Sequence, residues 1–77
     1  MKMKKELQQL VIAIIENSVR YELGQIDFTN DGNYITVFEK GHNTFHATGL
    51  IGLISNIDNI NCYMDCNESG KVELRIF

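Results

Sequence analysis

Residues 26–38 read IDFTNDGNYITVF, and this stretch decides the fold class. On both sides of the central NDGN, apolar and polar residues alternate with the period of two that is typical of strands. An Asp-Gly pair between two such runs is a strong hairpin signal, because the tight turns of hairpins need positive φ. The stretch therefore predicts a β-hairpin with Asp31-Gly32 at its tip.

A second hairpin follows at the carboxyl end of the sequence. Residues 60–66 and 71–77 alternate in the same way around the turn signal at residues 67–70. The alternation divides this hairpin between two faces of a sheet. It places Ile60, Cys62, Met64, Val72, Leu74 and Ile76 on the inner face, and Asn61, Tyr63, Asp65, Lys71, Glu73, Arg75 and Phe77 on the outer face.

Two helices are predicted in front of the two hairpins. The first runs from about Met3 to Leu23 and ends before Gly24, where a glycine can stop a helix. The second is short, from Thr48 to about Ile57, with apolar residues at helical spacing. Residues 44–47 can form a short third strand or only lead into the second helix, and the sequence leaves both open.

These elements predict one small α+β domain that comprises residues 1–77. Its order is α-β-β-(short β)-α-β-β, with two layers: an antiparallel sheet and two helices on one face. The order matches a ferredoxin-like sheet whose first strand has moved to the carboxyl end, which is our leading interpretation of the topology. It is an architectural analogy and implies no function.

Charge and hydropathy exclude several classes of partner. The chain has 7 basic and 10 acidic side chains; three of the basic ones lie before residue 6, so residues 6–77 carry 4 against 10. Such a balance repels phosphate backbones, and we expect no non-specific nucleic-acid binding. The longest apolar run, residues 10–15, is far shorter than the roughly 20 residues of a membrane span, so we expect no membrane association.

Two histidines and two cysteines offer the ligand types of a structural zinc site. His42 and His46 are four residues apart, as are Cys62 and Cys66. On a strand, however, this spacing separates Cα atoms by about 13 Å, which suits neither zinc nor a disulfide between the cysteines. We therefore predict no metal, no cofactor and two free, buried thiols, which favour a cytoplasmic location. A structural zinc-binding domain is the second alternative to our leading interpretation of the function.

The sequence contains no catalytic motif, and we predict a non-enzymatic chain without catalytic residues. Two groups of residues are candidates for an interaction surface. Tyr63, Arg75 and Phe77 share the outer sheet face, and aromatic residues and arginine are enriched where proteins bind each other. Ile12, Ile15 and Val19 widen the apolar side of the first helix beyond what one sheet can cover.

These features favour a protein-interaction module whose partner the sequence does not name. A homodimer would cover the wide apolar side of the first helix. The main alternative is an inhibitor from a phage or mobile element that blocks a nucleic-acid enzyme by presenting carboxylates in place of phosphates. Clustering of acidic residues on one surface would support that alternative.

Overall fold

The computed structural model describes residues 3–41 and 44–77. Within these residues, three helices and four strands follow one another in the order α-α-β-β-α-β-β. They are α1 (Lys5–Glu16), α2 (Val19–Glu22), β1 (Ile26–Asn30), β2 (Ile35–Glu39), α3 (Thr48–Ser55), β3 (Cys62–Cys66) and β4 (Val72–Ile76). The strands form one antiparallel sheet, which confirms the α+β class. The relation to a permuted ferredoxin-like fold stays a prediction.

The sheet has the strand order β1-β2-β4-β3, so the second strand of one hairpin, β2, pairs with the second strand of the other, β4. In this central pairing, Ile35 lies opposite Ile76 and Val37 lies opposite Leu74. All four side chains are fully buried. They form one core cluster with apolar residues of α1 and α3, so both helices cover the same sheet face. The rest of this core consists of Met3, Val11, Ile15, Ile26, Phe45, Ala47, Leu50, Ile54 and Ile60.

The predicted first helix is interrupted, which corrects the expectation of one helix to Leu23. Asn17 ends α1, and Ser18 is extended with ψ 146° before α2 begins. The Ser18 hydroxyl accepts a hydrogen bond of 3.2 Å from the backbone N–H of Tyr21, as an N-cap does. Side-chain capping by Ser18 therefore starts a new helix where the apolar pattern alone continues the first one.

The predicted stop at Gly24 is confirmed. Gly24 has φ +72°, a conformation that glycine adopts without strain. Its N–H donates to the carbonyl of Tyr21, and the N–H of Gln25 donates to the carbonyl of Arg20. These two bonds form a Schellman motif that satisfies the last carbonyls of α2.

The segment before α3 forms no strand over residues 44–47. Phe45 and Ala47 are nevertheless buried in the core. The backbone N–H groups of His46 and Ala47 both donate to the carboxylate of Glu39 on β2, the latter at 3.0 Å. A side chain of the sheet, and not a backbone ladder, therefore fixes this segment.

The second hairpin forms as predicted, but its first strand is less buried than expected. Met64 is 41% exposed and Cys66 is exposed, while Cys62 is half-buried. β3 is an edge strand of the sheet, and the two helices do not cover its full width. The prediction of two buried thiols was therefore wrong, although both cysteines are free.

Candidate functional site

The sheet face opposite α1 and α3 has no second layer among the described residues. We call it the open face; it contains side chains from all four strands because alternate residues of each strand point to the same side. Strand register arranges these side chains in rows across the sheet. The open face comprises Asp27, Thr29, Tyr34, Thr36, Phe38, Tyr63, Asp65, Glu73, Arg75 and Phe77.

Three aromatic side chains meet at one end of the open face, and we call them the aromatic cluster. The ring of Phe77 lies between those of Tyr34 and Tyr63, with centroid separations of 5.9 and 5.6 Å. Both contacts are edge-to-face, the arrangement that aromatic pairs favour. All three rings remain partly exposed, at 38% for Tyr34 and Phe77 and 41% for Tyr63.

Arg75 connects the aromatic cluster with the acidic side chains beside it. Its guanidinium carbon lies 5.5 Å from the centroid of the Tyr34 ring, within cation–π range. One guanidinium nitrogen lies 3.6 Å from a carboxylate oxygen of Asp65. A side-chain hydrogen bond with Tyr63 is the main reason that the pKa of Arg75 is raised above its ordinary value. The cluster therefore already binds one cation within the chain.

A row of carboxylates crosses the open face next to Arg75, and we call it the acidic row. Asp65 lies directly opposite Glu73, Glu73 lies opposite Phe38, and Phe38 lies opposite Asp27. Like charges directly opposite each other on a sheet are destabilising. A cation that binds between Asp65 and Glu73 therefore reduces the repulsion between them and stabilises the sheet.

The structure separates the residues that the sequence proposed as surface. Tyr63, Arg75 and Phe77 lie together on the open face, as expected from their alternation. Ile15 is fully buried in the core, so its place on an apolar surface stripe was wrong. The reason is that α3 packs against α1 and covers this side of the helix.

The other two residues of the proposed helix stripe differ from each other. Ile12 is partly buried and packs against the core. Val19 is 67% exposed and belongs to α2, beyond the break at Ser18. The three residues therefore do not form one continuous stripe on one helix.

Tyr34 and the acidic row are not among the residues that the sequence predicted as a site. Tyr34, Thr36 and Phe38 alternate with buried residues along the start of β2. That alternation was sufficient to place Tyr34 on the outer face. What it could not supply was the strand order, which brings Tyr34 beside Phe77, 43 positions later in the chain by subtraction of the two residue numbers.

A buried carboxylate on the opposite side of the sheet was also missed. Glu39 is 1% exposed, and its side chain pairs with Arg20 of α2. Its second oxygen accepts from the backbone of residues 46 and 47. Because every oxygen of this carboxylate is engaged by the fold, we assign Glu39 a structural role. The alternation along β2 places Glu39 on the core face, but no local pattern in the sequence identifies Arg20 as its partner.

The zinc hypothesis gains no support from the described residues. Residues 3–41 and 44–77 contain no group of three or more histidine, cysteine or acidic side chains that could hold a metal ion. Cys62 and Cys66 lie at the two ends of β3, as the strand prediction required. His42 lies outside the described residues, so its relation to the cysteines stays a prediction.

In the part of the chain that the structure describes, no helix is long and apolar enough to cross a bilayer. Comparisons of the chain with protein-family models, with curated proteins and with solved structures found no match. The candidate site is therefore argued from the geometry of the open face alone.

Proposed function

We propose that the chain is a non-enzymatic protein-interaction module that binds a basic segment of a partner protein on its open face. The observation that carries this proposal is the exposed aromatic cluster, in which Phe77 contacts Tyr34 and Tyr63 on a sheet face that no described element covers. Contiguous exposed apolar surface on a small domain marks an interaction site, and tyrosine and arginine are typical of binding hot spots.

Charge supports a cationic partner. The acidic row supplies three carboxylates, and Arg75, a basic side chain of the open face, already interacts with Tyr34 and Asp65. The chain as a whole has a formal net charge of −3. A lysine or arginine of a partner would reduce the repulsion between Asp65 and Glu73 and could stack on the aromatic rings. A partner rich in carboxylates would meet repulsion at the same place.

A cytoplasmic location is consistent with this role. Cys62 and Cys66 are free, and Cys66 is exposed. Exposed thiols persist in compartments that keep cysteines reduced. We therefore propose the cytoplasm as the location of this interaction.

The proposal can be tested with peptides of defined charge. A peptide of alternating arginine and leucine should shift the backbone amide signals of residues 34–38, 61–65 and 73–77 in an NMR titration. A peptide of alternating glutamate and leucine, of the same length, should leave them unchanged. Attraction between charges at a surface weakens with salt, so the shifts should decrease as the ionic strength rises.

Matched variants then locate the binding site. Tyr63→Ser removes an exposed ring from the aromatic cluster, whereas Leu53→Ser removes an exposed apolar residue from α3. Tyr63→Ser should weaken binding of the basic peptide at least tenfold, and Leu53→Ser should leave it unchanged. Equal binding of both peptides, or equal loss in both variants, would contradict a site on the open face.

The acidic row favours a second candidate function, inhibition of a nucleic-acid enzyme by carboxylates that occupy its phosphate-binding groove. In this case the carboxylates matter more than the rings. Asp27→Asn with Glu73→Gln should then abolish binding to a basic nucleic-acid enzyme, and single-stranded DNA should compete. Loss of binding in Tyr63→Ser with binding retained in the carboxamide variant would instead favour the interaction module.

A further inference from the structure

The two edge strands of the sheet, β1 and β3, present backbone groups that no neighbouring strand uses. In the second hairpin, Asn61 and Phe77 exchange both backbone hydrogen bonds, at 2.8 and 2.9 Å. In an antiparallel pair such double bonds recur at every second residue. Tyr63 and Asp65 therefore bond to β4, while Cys62, Met64 and Cys66 direct their N–H and C=O groups away from the sheet.

The same reasoning applies to the other edge. Lys40 donates to the carbonyl of Gln25, and Asp31 donates to the carbonyl of Tyr34, so the odd-numbered residues of β1 bond to β2. Phe28, in the middle of β1, directs its N–H outward. The carboxylate of Asp27 accepts that N–H at 2.8 Å. The middle of this edge is therefore closed to an added strand.

The β3 edge is closed only at its end. Asp65 accepts the N–H of Cys66, the last residue of β3, at 2.9 Å. Among the described residues, no acidic side chain accepts the N–H of Met64 in the middle of the strand, and its side chain is 41% exposed. Unprotected edge strands of this kind pair with further strands.

We propose that β3 pairs with β3 of a second copy of this chain, antiparallel about a twofold axis at Met64. The two sheets then form one sheet of eight strands. This register overlaps the whole of both strands, with Met64 opposite Met64 of the second copy and Cys62 opposite Cys66 of the second copy. An antiparallel pair of identical strands is self-complementary, as a twofold interface requires.

Side-chain charge favours this register over one centred a residue later. It places Tyr63 opposite Asp65 of the second copy, so a phenol hydroxyl can donate to a carboxylate on the open face. A register centred one residue later would place Asp65 opposite Asp65 of the second copy, which like-charge repulsion disfavours. The N–H of Cys66 exchanges its bond with Asp65 for one to the carbonyl of Cys62 of the second copy.

Cysteine cross-linking tests both the contact and its register. Residues that exchange both hydrogen bonds have Cα atoms about 5.5 Å apart, within the range that a disulfide spans. Diamide accepts the two hydrogen atoms that two thiols lose on forming a disulfide. With diamide, the wild-type chain should give a covalent dimer in non-reducing electrophoresis at micromolar concentration. Neither Cys62→Ser nor Cys66→Ser should form this covalent dimer, because Cys62 of each copy faces Cys66 of the other copy.

Variants of the strand provide an independent readout. Met64→Lys places two like charges together at the twofold axis and should convert the dimer to a monomer in light scattering. The control Glu68→Lys changes an exposed residue of the turn after β3 and should remain dimeric. Circular dichroism checks that both variants are folded. If the Met64→Lys variant does not fold, the cross-link of the wild-type chain still tests the proposal.

The proposal is overturned if the wild-type chain is monomeric and forms no cross-link. A Cys62→Ser chain that cross-links as efficiently as the wild type would also overturn it, because Cys66 would then meet Cys66 of the second copy. A folded Met64→Lys variant that stays dimeric would assign the dimer to another surface. These outcomes are separate from those for the open face, because the cross-link and Met64→Lys change side chains of the opposite sheet face.

Discussion

The carboxylate of Glu39 at the end of β2 pairs with the guanidinium of Arg20 in α2, and it also accepts the backbone N–H of Ala47 at 3.0 Å. One buried side chain thus connects the sheet with α2 and with the segment that leads into α3. Burial of a charge is costly unless it is paired and hydrogen-bonded, and this one is both. Removal of this carboxylate leaves the partly buried Arg20 and the buried Ala47 N–H without their acceptor.

Glu39→Ala is therefore expected to lower the free energy of unfolding by about 3 kcal/mol or more, since it leaves Arg20 and the Ala47 N–H without their acceptor. Urea unfolding followed by circular dichroism measures the change. Glu22→Ala, at an exposed position of α2, serves as the control and should cost no more than about 0.5 kcal/mol. Equal losses in the two variants would contradict the role assigned to Glu39.

Gly32 is expected to resist substitution by a β-branched residue. Its φ is +90°, as predicted from the sequence, and Asp31 N–H bonds to the Tyr34 carbonyl across the turn. Gly32 and Asn33 are thus the central pair, one residue later than predicted. Gly32→Val should destabilise the fold by more than about 1 kcal/mol, because valine resists positive φ. An unchanged thermal midpoint would show that the turn can be rebuilt without positive φ.

Gly52 in α3 should respond in the opposite direction. It has no positive φ, and a Cβ atom added there meets no heavy atom within 4 Å. Gly52→Ala should stabilise the protein by about 0.5–1 kcal/mol, since alanine loses less backbone entropy in a helix. Differential scanning calorimetry provides the measurement. A lower midpoint would mean that α3 packs more tightly at this position than the structure shows.

Asp31 gives the first hairpin a dependence on pH. Hydrogen bonds from the backbone N–H groups of Tyr34 and Asn33 hold the pKa of this carboxyl below its ordinary value of 3.8. A group whose folded-state pKa is depressed contributes stability above the unfolded pKa and loses it as pH falls through the folded pKa. The stability difference between the wild type and Asp31→Asn should therefore shrink as pH is lowered below 3.8.

The carboxyl carbon signal of Asp31 in an NMR titration gives a direct check. Its midpoint should lie below that of the same residue in an unfolded peptide. Asp58→Asn, which changes an exposed carboxyl in the turn after α3, is the matched control and should leave the midpoint of Asp31 unchanged. A midpoint of Asp31 at or above the peptide value would contradict the hydrogen bonds.

The two thiols are expected to react at different rates. Cys66 is exposed at the end of β3, whereas Cys62 is half-buried beside the core. Thiol labelling under native conditions should modify Cys66 before Cys62, as mass spectrometry of digested samples can show. The measurement should use dilute protein, where association is weakest. The reverse order would contradict the exposure of the edge strand.

Local patterns were sufficient for most of the fold. Alternation around Asp31-Gly32 and around residues 67–70 located both hairpins, and Gly24 located a helix end. They failed where a contact distant in sequence decides the outcome. Arg20 follows Glu16 at helical spacing, yet it pairs with Glu39, and the burial of Ile15 depends on α3.

In the candidate site, too, some features follow from local patterns and others depend on contacts distant in sequence. Alternation placed Tyr63, Arg75 and Phe77 on one face, because that depends only on strand phase. The role of Tyr34 and the alignment of Asp65, Glu73 and Asp27 depend on which strands are neighbours. Sequence periodicity does not contain that information for a chain with two separate hairpins.

The central pairing of β2 with β4 also affects the folding kinetics of this chain. Each hairpin joins residues near in sequence, whereas Ile35 and Ile76 are 41 positions apart, the difference of their numbers. Local hairpins close in microseconds, and distant pairings pay a larger loop entropy first. The rate-limiting event should be the meeting of two preformed hairpins along this seam, so replacements of Val37 or Leu74 should slow refolding more than replacements near either turn.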